Sequence, residues 1–184
     1  ATDDNSNVST CSFDVTVVDT TVPTITCPAN VSAEATSSAG AAVSYDAATA
    51  TDIGDDSVDI TYSAASGSTF AIGTATVTAT ATDDSGNTST CSFDVTVADT
   101  TNPAIACSAN VSAEATSSAG AAVTYDAATA TDTGDDSVAV TYSQASGSTF
   151  AIGTTTVPAT ATDDSGNVST CSFDVAVVDT TVPT

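Results

Sequence analysis

The chain has 184 residues, of which 23 are Asp or Glu and none is Lys, Arg or His, so its formal net charge is −23. Without cationic side chains it lacks the groups that bind phosphate, which excludes nucleic-acid binding and disfavours anionic membrane surfaces. The missing His and Lys remove the usual general bases and Schiff-base nucleophiles, and no window is long and apolar enough to span a bilayer, so we expect neither enzyme activity nor membrane insertion in this segment.

An 80-residue repeat organises the chain. The pentapeptide CSFDV begins at Cys11, Cys91 and Cys171, and 66 of 80 positions are identical between 21–100 and 101–180. We therefore predict two complete repeats at 21–100 and 101–180, within a longer tandem array. Residues 1–20 would be the C-terminal strands of a preceding, truncated repeat, and 181–184 the start of the next repeat or a linker.

Within one repeat the apolar residues alternate with polar ones, which is typical of half-buried strands. In chain order, the predicted strands hold Ile25 with Cys27, Val43 with Tyr45, Val58–Tyr62, Thr74–Thr82 and Cys91–Val97. High acidity is also typical of disordered chains, but this regular spacing of Val, Ile, Phe and Tyr argues against disorder.

Turn signals separate these predicted strands. The segment Asp83-Asp-Ser-Gly-Asn87 joins two alternating runs and indicates a hairpin turn with Gly86 or Asn87 at positive φ. Six or seven short strands in about 80 residues, with no helical periodicity, predict an all-β chain of tandem immunoglobulin-like antiparallel β-sandwiches.

The repeat contains five characteristic segments, in order Ile25–Val31, Thr49–Asp52, Gly67–Thr74, Ala79–Asn87 and Cys91–Val97. Through these segments it resembles the hyalin repeat (HYR) domain. The resemblance implies an immunoglobulin-like sandwich used in extracellular adhesion or as a modular spacer. Many members carry a second cysteine pair, near the positions of Tyr62 and Ala79, which this chain lacks.

The chain contains five cysteines, whose pairing as disulfides indicates the cellular compartment. The resemblance implies one bridge in each complete repeat, Cys27–Cys91 and Cys107–Cys171, with Cys11 pairing outside this window. The alternative, a Cys11–Cys27 bridge between adjacent repeats, remains open from the sequence alone. Either arrangement requires an oxidising compartment, which predicts an extracellular or cell-surface location.

Asn-x-Ser/Thr triplets occur twice in each repeat and make several asparagines candidates for N-glycosylation. Asn30 and Asn110 have no evident turn role and are the better candidates, whereas Asn87 has a structural place in the hairpin turn. Chance occurrence is an equal alternative in a chain with 38 Thr and 25 Ser. The complete set is Asn7, Asn30, Asn87, Asn110 and Asn167.

Acidic loops at one pole of each sandwich, together with an Asp in the linker, are candidates for a calcium site, since Ca²⁺ takes six to eight oxygen ligands. The alternative is a solvated acidic surface that keeps the chain soluble and extended. Calcium is the only cofactor that the sequence suggests. The candidate ligands are Asp52, Asp55, Asp56, Asp83, Asp84 and Asp99, with their copies Asp132, Asp135, Asp136, Asp163, Asp164, Asp19 and Asp179.

Two functional hypotheses follow from nearly identical domains joined by a short linker. The first is a structural component of an extracellular fibre or cell-surface stalk, in which identical repeats self-assemble into filaments. The second is an adhesin or binding module that recognises a glycan or a cell-surface protein, with calcium-stiffened domain junctions.

Overall fold

The structure is a computed structural model that describes residues 1–182, and within that range it contains sixteen β-strands and no helix. Of the predicted segment 181–184, residues 183 and 184 lie outside the described residues. The first repeat contains β1 (Thr24–Thr26), β2 (Val31–Glu34), β3 (Ala41–Ala42), β4 (Thr49–Thr51), β5 (Asp59–Tyr62), β6 (Thr69–Phe70), β7 (Gly73–Thr82) and β8 (Thr88–Ala98). The second repeat contains β9 (Ala104–Ala106), β10 (Val111–Glu114), β11 (Ala121–Ala122), β12 (Thr129–Thr131), β13 (Ala139–Tyr142), β14 (Thr149–Phe150), β15 (Gly153–Thr162) and β16 (Val168–Val178).

The second repeat is a β-sandwich of one large sheet and two small ones. The large sheet has the order β10-β16-β15-β13, and the small sheets pair β9 with β12 and β11 with β14. The long hairpin β15–β16 alternates in sequence, which places Val157, Ala159, Phe173 and Val175 on its buried face. The all-β, immunoglobulin-like fold predicted from the sequence is confirmed.

The core of the second repeat forms where the large sheet faces the small ones. Tyr125 packs its ring at 4.7 Å from that of Phe173 and at 6.5 Å from that of Phe150, both edge-on. The other buried residues of this cluster have smaller side chains and are Ala121, Val123, Val157, Val175 and Val177.

One strand pair in each repeat differs from the predicted antiparallel pattern. β2 pairs parallel with β8, with Val31 opposite Val95, and β10 pairs parallel with β16. A parallel pair needs a long crossover connection, and here the rest of the repeat provides it. The sandwich is therefore antiparallel except at this edge.

The chain divides into two compact units, one made of Ala1–Pro28, Ala47–Ala64 and Val77–Phe93 and the other of Ala29–Asp46, Ala65–Thr76 and the chain from Asp94 onward. The second repeat lies within one unit, whereas the division passes through the first repeat. The strands of the first repeat nevertheless repeat the sheet orders β2-β8-β7-β5, β1-β4 and β3-β6.

Residues 1–20 differ from the prediction of C-terminal strands. They contain only an isolated bridge between Thr2 and Val8, and Phe13 is 84% exposed, whereas the equivalent Phe93 is 3% exposed. In the complete repeat the equivalent strand β8 is paired with β7 and β2. Among the described residues, 1–20 have no equivalent of β7 or β2 to pair with, so they do not form the predicted strands.

Smaller differences concern the short strands. Val43 and Tyr45 were predicted to form a strand, but the strand there is Ala41–Ala42. Val43 is buried and exchanges backbone hydrogen bonds with Ser68 and Gly67, so it is held by a loop contact instead.

Candidate metal centre

Three aspartates meet at one end of each repeat. In the second repeat they are Asp99 from the linker before β9, Asp132 directly after β12 and Asp163 directly after β15. Each contributes one carboxylate oxygen to a group in which all three lie within 4.8 Å of one another. The first repeat forms the same cluster from Asp19, Asp52 and Asp83.

Strand ends explain the convergence. Asp132 and Asp163 follow the last residues of β12 and β15, which belong to the two layers of the sandwich, so their side chains come from opposite layers at the same pole. The linker aspartate reaches them because the chain enters the following repeat there. Each cluster therefore combines two loops of a repeat with the linker that precedes it.

The third aspartate is held by the hairpin turn. Asn167 donates its backbone N–H to Oδ1 of Asp163 at 2.7 Å and its side-chain amide to Oδ2 at 2.8 Å. Burial raises the pKa of Asp163, but the donors of Asn167 and of the turn backbone outweigh it and hold the pKa below its usual value. Asp83 and Asn87 repeat these bonds, and the pKa of Asp83 is lowered for the same reasons.

The clusters contain buried carboxylate oxygens without a hydrogen-bond partner among the described residues. They are Oδ2 of Asp19, Oδ2 of Asp52, Oδ2 of Asp99 and Oδ1 of Asp132. Asp99 is only 7% exposed. Buried polar atoms normally have partners, and the chain has no cationic side chain that could provide one.

A glycine makes room for each linker carboxylate. A Cβ atom added at Gly134 would lie 2.3 Å from Oδ2 of Asp99, and one at Gly54 would lie 2.1 Å from Oδ2 of Asp19. Neither glycine has a positive φ, so the backbone conformation does not require glycine there. Glycine is required because a side chain would collide with the linker carboxylate. Sequence reasoning missed both glycines, because a glycine in an acidic loop also has the ordinary interpretation of a turn residue.

The remaining acidic loop residues lie outside the clusters. Asp135 accepts the backbone N–H of Asp164 at Oδ2 at 2.6 Å and so ties the two loops together, and Asp55 does the same with Asp84 at 2.7 Å. Asp136 accepts a hydrogen bond from the Ser38 hydroxyl at 2.6 Å. The other candidates outside the clusters are Asp56 and Asp179.

Linker residues Asp99 to Thr101 are hydrogen-bonded to side chains of both the preceding and the following repeat. The Asp99 carbonyl accepts the side-chain amide of Asn167 at 3.2 Å, whereas the next residue, Thr100, donates its N–H to Oε1 of Glu34 at 2.7 Å. Thr100 and Thr101 also donate their hydroxyls to Glu34, at 2.9 and 3.0 Å. These donors lower the pKa of Glu34.

Both equivalent linkers use the same contacts as far as they are described. Thr180 donates its N–H and hydroxyl to Glu114 at 2.7 and 2.9 Å, and Asn87 donates to the Asp19 carbonyl at 3.3 Å. Pro103 is fully buried. The linker geometry is thus determined by side chains of the repeats themselves.

The cysteines form one bridge per repeat. Cys27 is bonded to Cys91 and Cys107 to Cys171, each with a Cα–Cα distance of 5.8 Å. Cys11 is exposed and is not in a disulfide, so the alternative Cys11–Cys27 bridge is not formed.

The asparagines of the glycosylation triplets fall into two groups. Asn30 and Asn110 are exposed and accept a backbone hydrogen bond at Oδ1, whereas Asn87 and Asn167 are half-buried and use the side-chain amide as a donor. Asn7 is exposed and donates its amide to Asp3 at 2.8 Å.

The chain matches the HYR domain family over residues 18–97 and 98–177. It is 39% identical over 182 residues to hyalin of Strongylocentrotus purpuratus, which covers 94% of this chain and 15% of that protein. It is 32% identical over 189 residues to hyalin of Lytechinus variegatus, covering 98% of this chain and 36% of that protein. The chain thus spans well under half the length of these two relatives.

Among solved structures, the chain is similar to Drosophila N-cadherin EC1-4, with a TM-score of 0.42 and 12% identity over 86% of this chain and 50% of that one. The fibronectin(III)-like modules of Clostridium thermocellum CbhA have a TM-score of 0.34 and 18% identity over 85% of this chain and 94% of that one. No helix in the described part of the chain is long and apolar enough to cross a membrane. The two family matches, each enclosing one disulfide and one aspartate cluster, show that the chain belongs to the HYR domain family and contains two consecutive members of it.

Proposed function

We propose that the chain is a segment of an extracellular stalk or fibre of tandem HYR domains, related to adhesion, in which calcium bound at each aspartate cluster stiffens the linker. The observation that carries this proposal is the cluster of Asp99, Asp132 and Asp163, in which buried oxygens of Asp99 and Asp132 lack partners in a chain without cationic side chains. The disulfides support an extracellular location, since they persist in oxidising compartments.

Calcium suits the donor set. Ca²⁺ binds carboxylate oxygens, which the clusters supply, whereas a zinc site of the usual kind would need His or Cys ligands. The ligands in the second repeat would be Asp99, Asp132 and Asp163, and those in the first repeat Asp19, Asp52 and Asp83. A bound cation neutralises the repulsion between three carboxylates that approach within 4.8 Å.

The cation acts on the linker because one ligand belongs to it. Asp99 would be tied through the ion to two loops of the following repeat, while Thr100 and Thr101 are tied to Glu34 of the preceding one. Rotation about the linker backbone is then opposed from both directions. A stalk with such linkers transmits tension and keeps its repeats at regular intervals.

Self-assembly into filaments is the further part of this proposal. The two repeats are nearly identical in sequence and would present the same surface, which favours repeated identical contacts. The outer strands β2 and β5 carry exposed Ser32, Glu34, Asp59 and Thr61, which restrain indiscriminate strand pairing. Negative-stain microscopy of the purified chain without any ligand should therefore show threads longer than one molecule.

A binding role is favoured by one residue. Ile53 is 95% exposed at the tip of the acidic loop, next to the ligand Asp52, and the second repeat has Thr133 there. In an adhesin, this apolar side chain in an acidic loop would contact the protein or glycan partner. The matched variant Ile53→Thr, which copies the second repeat, should abolish cell-surface binding in an adhesin and leave thread formation unchanged in a fibre.

Calcium binding is tested by titration calorimetry of the chain. We expect two bound ions in the wild type and one in the variant Asp99→Asn, which keeps the size of the side chain. Hydrogen exchange at the amides of Thr100 and Thr101 should slow on adding calcium and return to its original rate with a chelator. An unchanged exchange rate with two ions bound would refute the stiffening while leaving the metal sites intact.

A further inference from the structure

We propose that Asn30 and Asn110 carry asparagine-linked glycans in the folded chain, and that a glycan at Asn87 or Asn167 is incompatible with the folded repeat. All four lie in the triplet Asn-x-Ser, so the triplet does not distinguish them. The distinction comes from what each side-chain amide does in the folded repeat.

At Asn30 the amide nitrogen is available. The side chain accepts the backbone N–H of Asp94 at Oδ1 at 2.9 Å, and within the described residues Nδ2 has no partner. Asn30 is exposed, as is Ser32 two residues later. The bond to Oδ1 holds the side chain in one orientation, and a glycan attached at Nδ2 leaves that bond intact.

Asn110 repeats the arrangement independently. It is exposed, and its Oδ1 accepts the backbone N–H of Asp174 at 2.9 Å. Both asparagines directly precede an outer strand of the large sheet, β2 or β10. A glycan there would stand beside a sheet edge, where bulk and hydration oppose strand pairing with another chain.

At Asn167 both amide hydrogens are in use. Nδ2 donates to Oδ2 of Asp163 at 2.8 Å and to the carbonyl of Asp99 at 3.2 Å. Asn87 likewise donates to Asp83 at 2.7 Å and to the Asp19 carbonyl at 3.3 Å. Glycosylation of either residue would break one of these bonds at a half-buried position next to an aspartate cluster.

The chemistry makes this loss unavoidable. Transfer from a lipid-diphosphate-linked oligosaccharide forms a bond between Nδ2 and the anomeric carbon of the sugar. The diphosphate leaves with the electrons of the broken C–O bond, and the proton that Nδ2 loses passes to a base of the transferring enzyme or to water. One of the two N–H donors is therefore replaced by a sugar.

Asn7 provides a comparison within the chain. It has the same Asn-Val-Ser triplet as Asn167 and donates to Asp3 at 2.8 Å, but no second acceptor is found for it among the described residues. Its second N–H is therefore open, and we expect Asn7 to accept a glycan where Asn167 does not.

The test is site-by-site glycan occupancy. The chain is secreted from cultured mammalian cells, and the folded, disulfide-bonded product is treated with peptide N-glycanase in ¹⁸O-water, which marks each formerly glycosylated asparagine by mass. We expect ¹⁸O-aspartate at Asn30 and Asn110, and unchanged asparagine at Asn87 and Asn167. Occupancy at Asn87 or Asn167 equal to that at Asn30, or empty Asn30 and Asn110, would overturn the proposal.

Two sets of matched variants locate the cause. Ser32→Ala and Ser112→Ala remove two triplets without altering any asparagine, and each should lower the mass of the secreted chain by one glycan. Ser89→Ala and Ser169→Ala should leave that mass unchanged. Unfolded synthetic peptides spanning 26–34 and 83–91 should both be glycosylated in microsomes. Rejection of the second peptide would show that local sequence rather than the fold discriminates, and would refute the structural explanation.

Discussion

The side-chain amide of Asn167 donates to the backbone carbonyl of Asp99, 68 residues earlier in the chain, at 3.2 Å. The same amide also donates to Asp163, so one asparagine joins the hairpin turn of a repeat to the linker that precedes it. This relationship holds the linker aspartate beside the other two carboxylates, and it recurs between Asn87 and Asp19.

Gly134→Ala should weaken calcium binding without removing a ligand. The added methyl group would lie 2.3 Å from Oδ2 of Asp99 and displace that carboxylate, while the backbone needs no positive φ. We expect about a 10- to 100-fold loss of affinity at the second cluster, as for other changes beside a metal ligand. Titration calorimetry measures it.

The first cluster is the internal control for this variant. The calcium affinity of the first cluster should stay at the wild-type value in Gly134→Ala and fall in Gly54→Ala. The reason is that Gly134 leaves space only for Asp99 and Gly54 only for Asp19. Equal affinity of both clusters in Gly134→Ala would show that the clearance has no role in binding.

Glu34 should make stability depend on pH in acid. Donors from Thr100 hold its pKa below that of the unfolded chain, so its contribution is complete above the unfolded pKa of about 4.3 and is lost as the pH falls through the folded value. Thermal unfolding in chelator between pH 6 and 2.5 should show this loss. Glu34→Gln should flatten that part of the profile, and an unaltered profile would contradict the assignment.

The long strands of the fold could be predicted because they follow from the alternation of apolar and polar residues in the sequence. The strands β7 and β8 have ten and eleven residues, and apolar residues occupy every second position from Ala75 to Ala81 and from Cys91 to Val97. This period also determines the buried face. Short strands such as Ala41–Ala42 and Thr69–Phe70 have too few residues to show a period, and their pairing is set by tertiary contacts.

The site was only partly predictable for a similar reason. Sequence could identify the acidic loops, but thirteen aspartates were equal candidates, and only backbone geometry separates Asp132, which joins the cluster, from Asp135 and Asp136, which bond elsewhere. The parallel pairing of β2 with β8 was also beyond reach, because strand direction in a sheet is decided by long-range packing.

Removal of one disulfide should strongly destabilise its own repeat. Cys107 and Cys171 are 64 residues apart, and in the chain-entropy model a loop of that length contributes about 4 kcal/mol. The double variant Cys107→Ser/Cys171→Ser should therefore lose most of the stability of the second repeat in calorimetric unfolding. Cys11→Ser should change nothing, since Cys11 is exposed and outside any bridge.

Two phenylalanines at the same position of the CSFDV pentapeptide allow the effect of burial on stability to be measured. Phe173 and Phe13 occupy the same place in the CSFDV pentapeptide, yet Phe173 is 3% exposed and packs on Tyr125, whereas Phe13 is 84% exposed. Phe173→Ala should cost about 3–5 kcal/mol through lost burial and the cavity left behind. Phe13→Ala should leave the free energy of unfolding unchanged within about 0.5 kcal/mol, as for a surface substitution. Equal losses in urea titrations of the two variants would mean that residues 1–20 are packed in solution, and would contradict the exposure described for them.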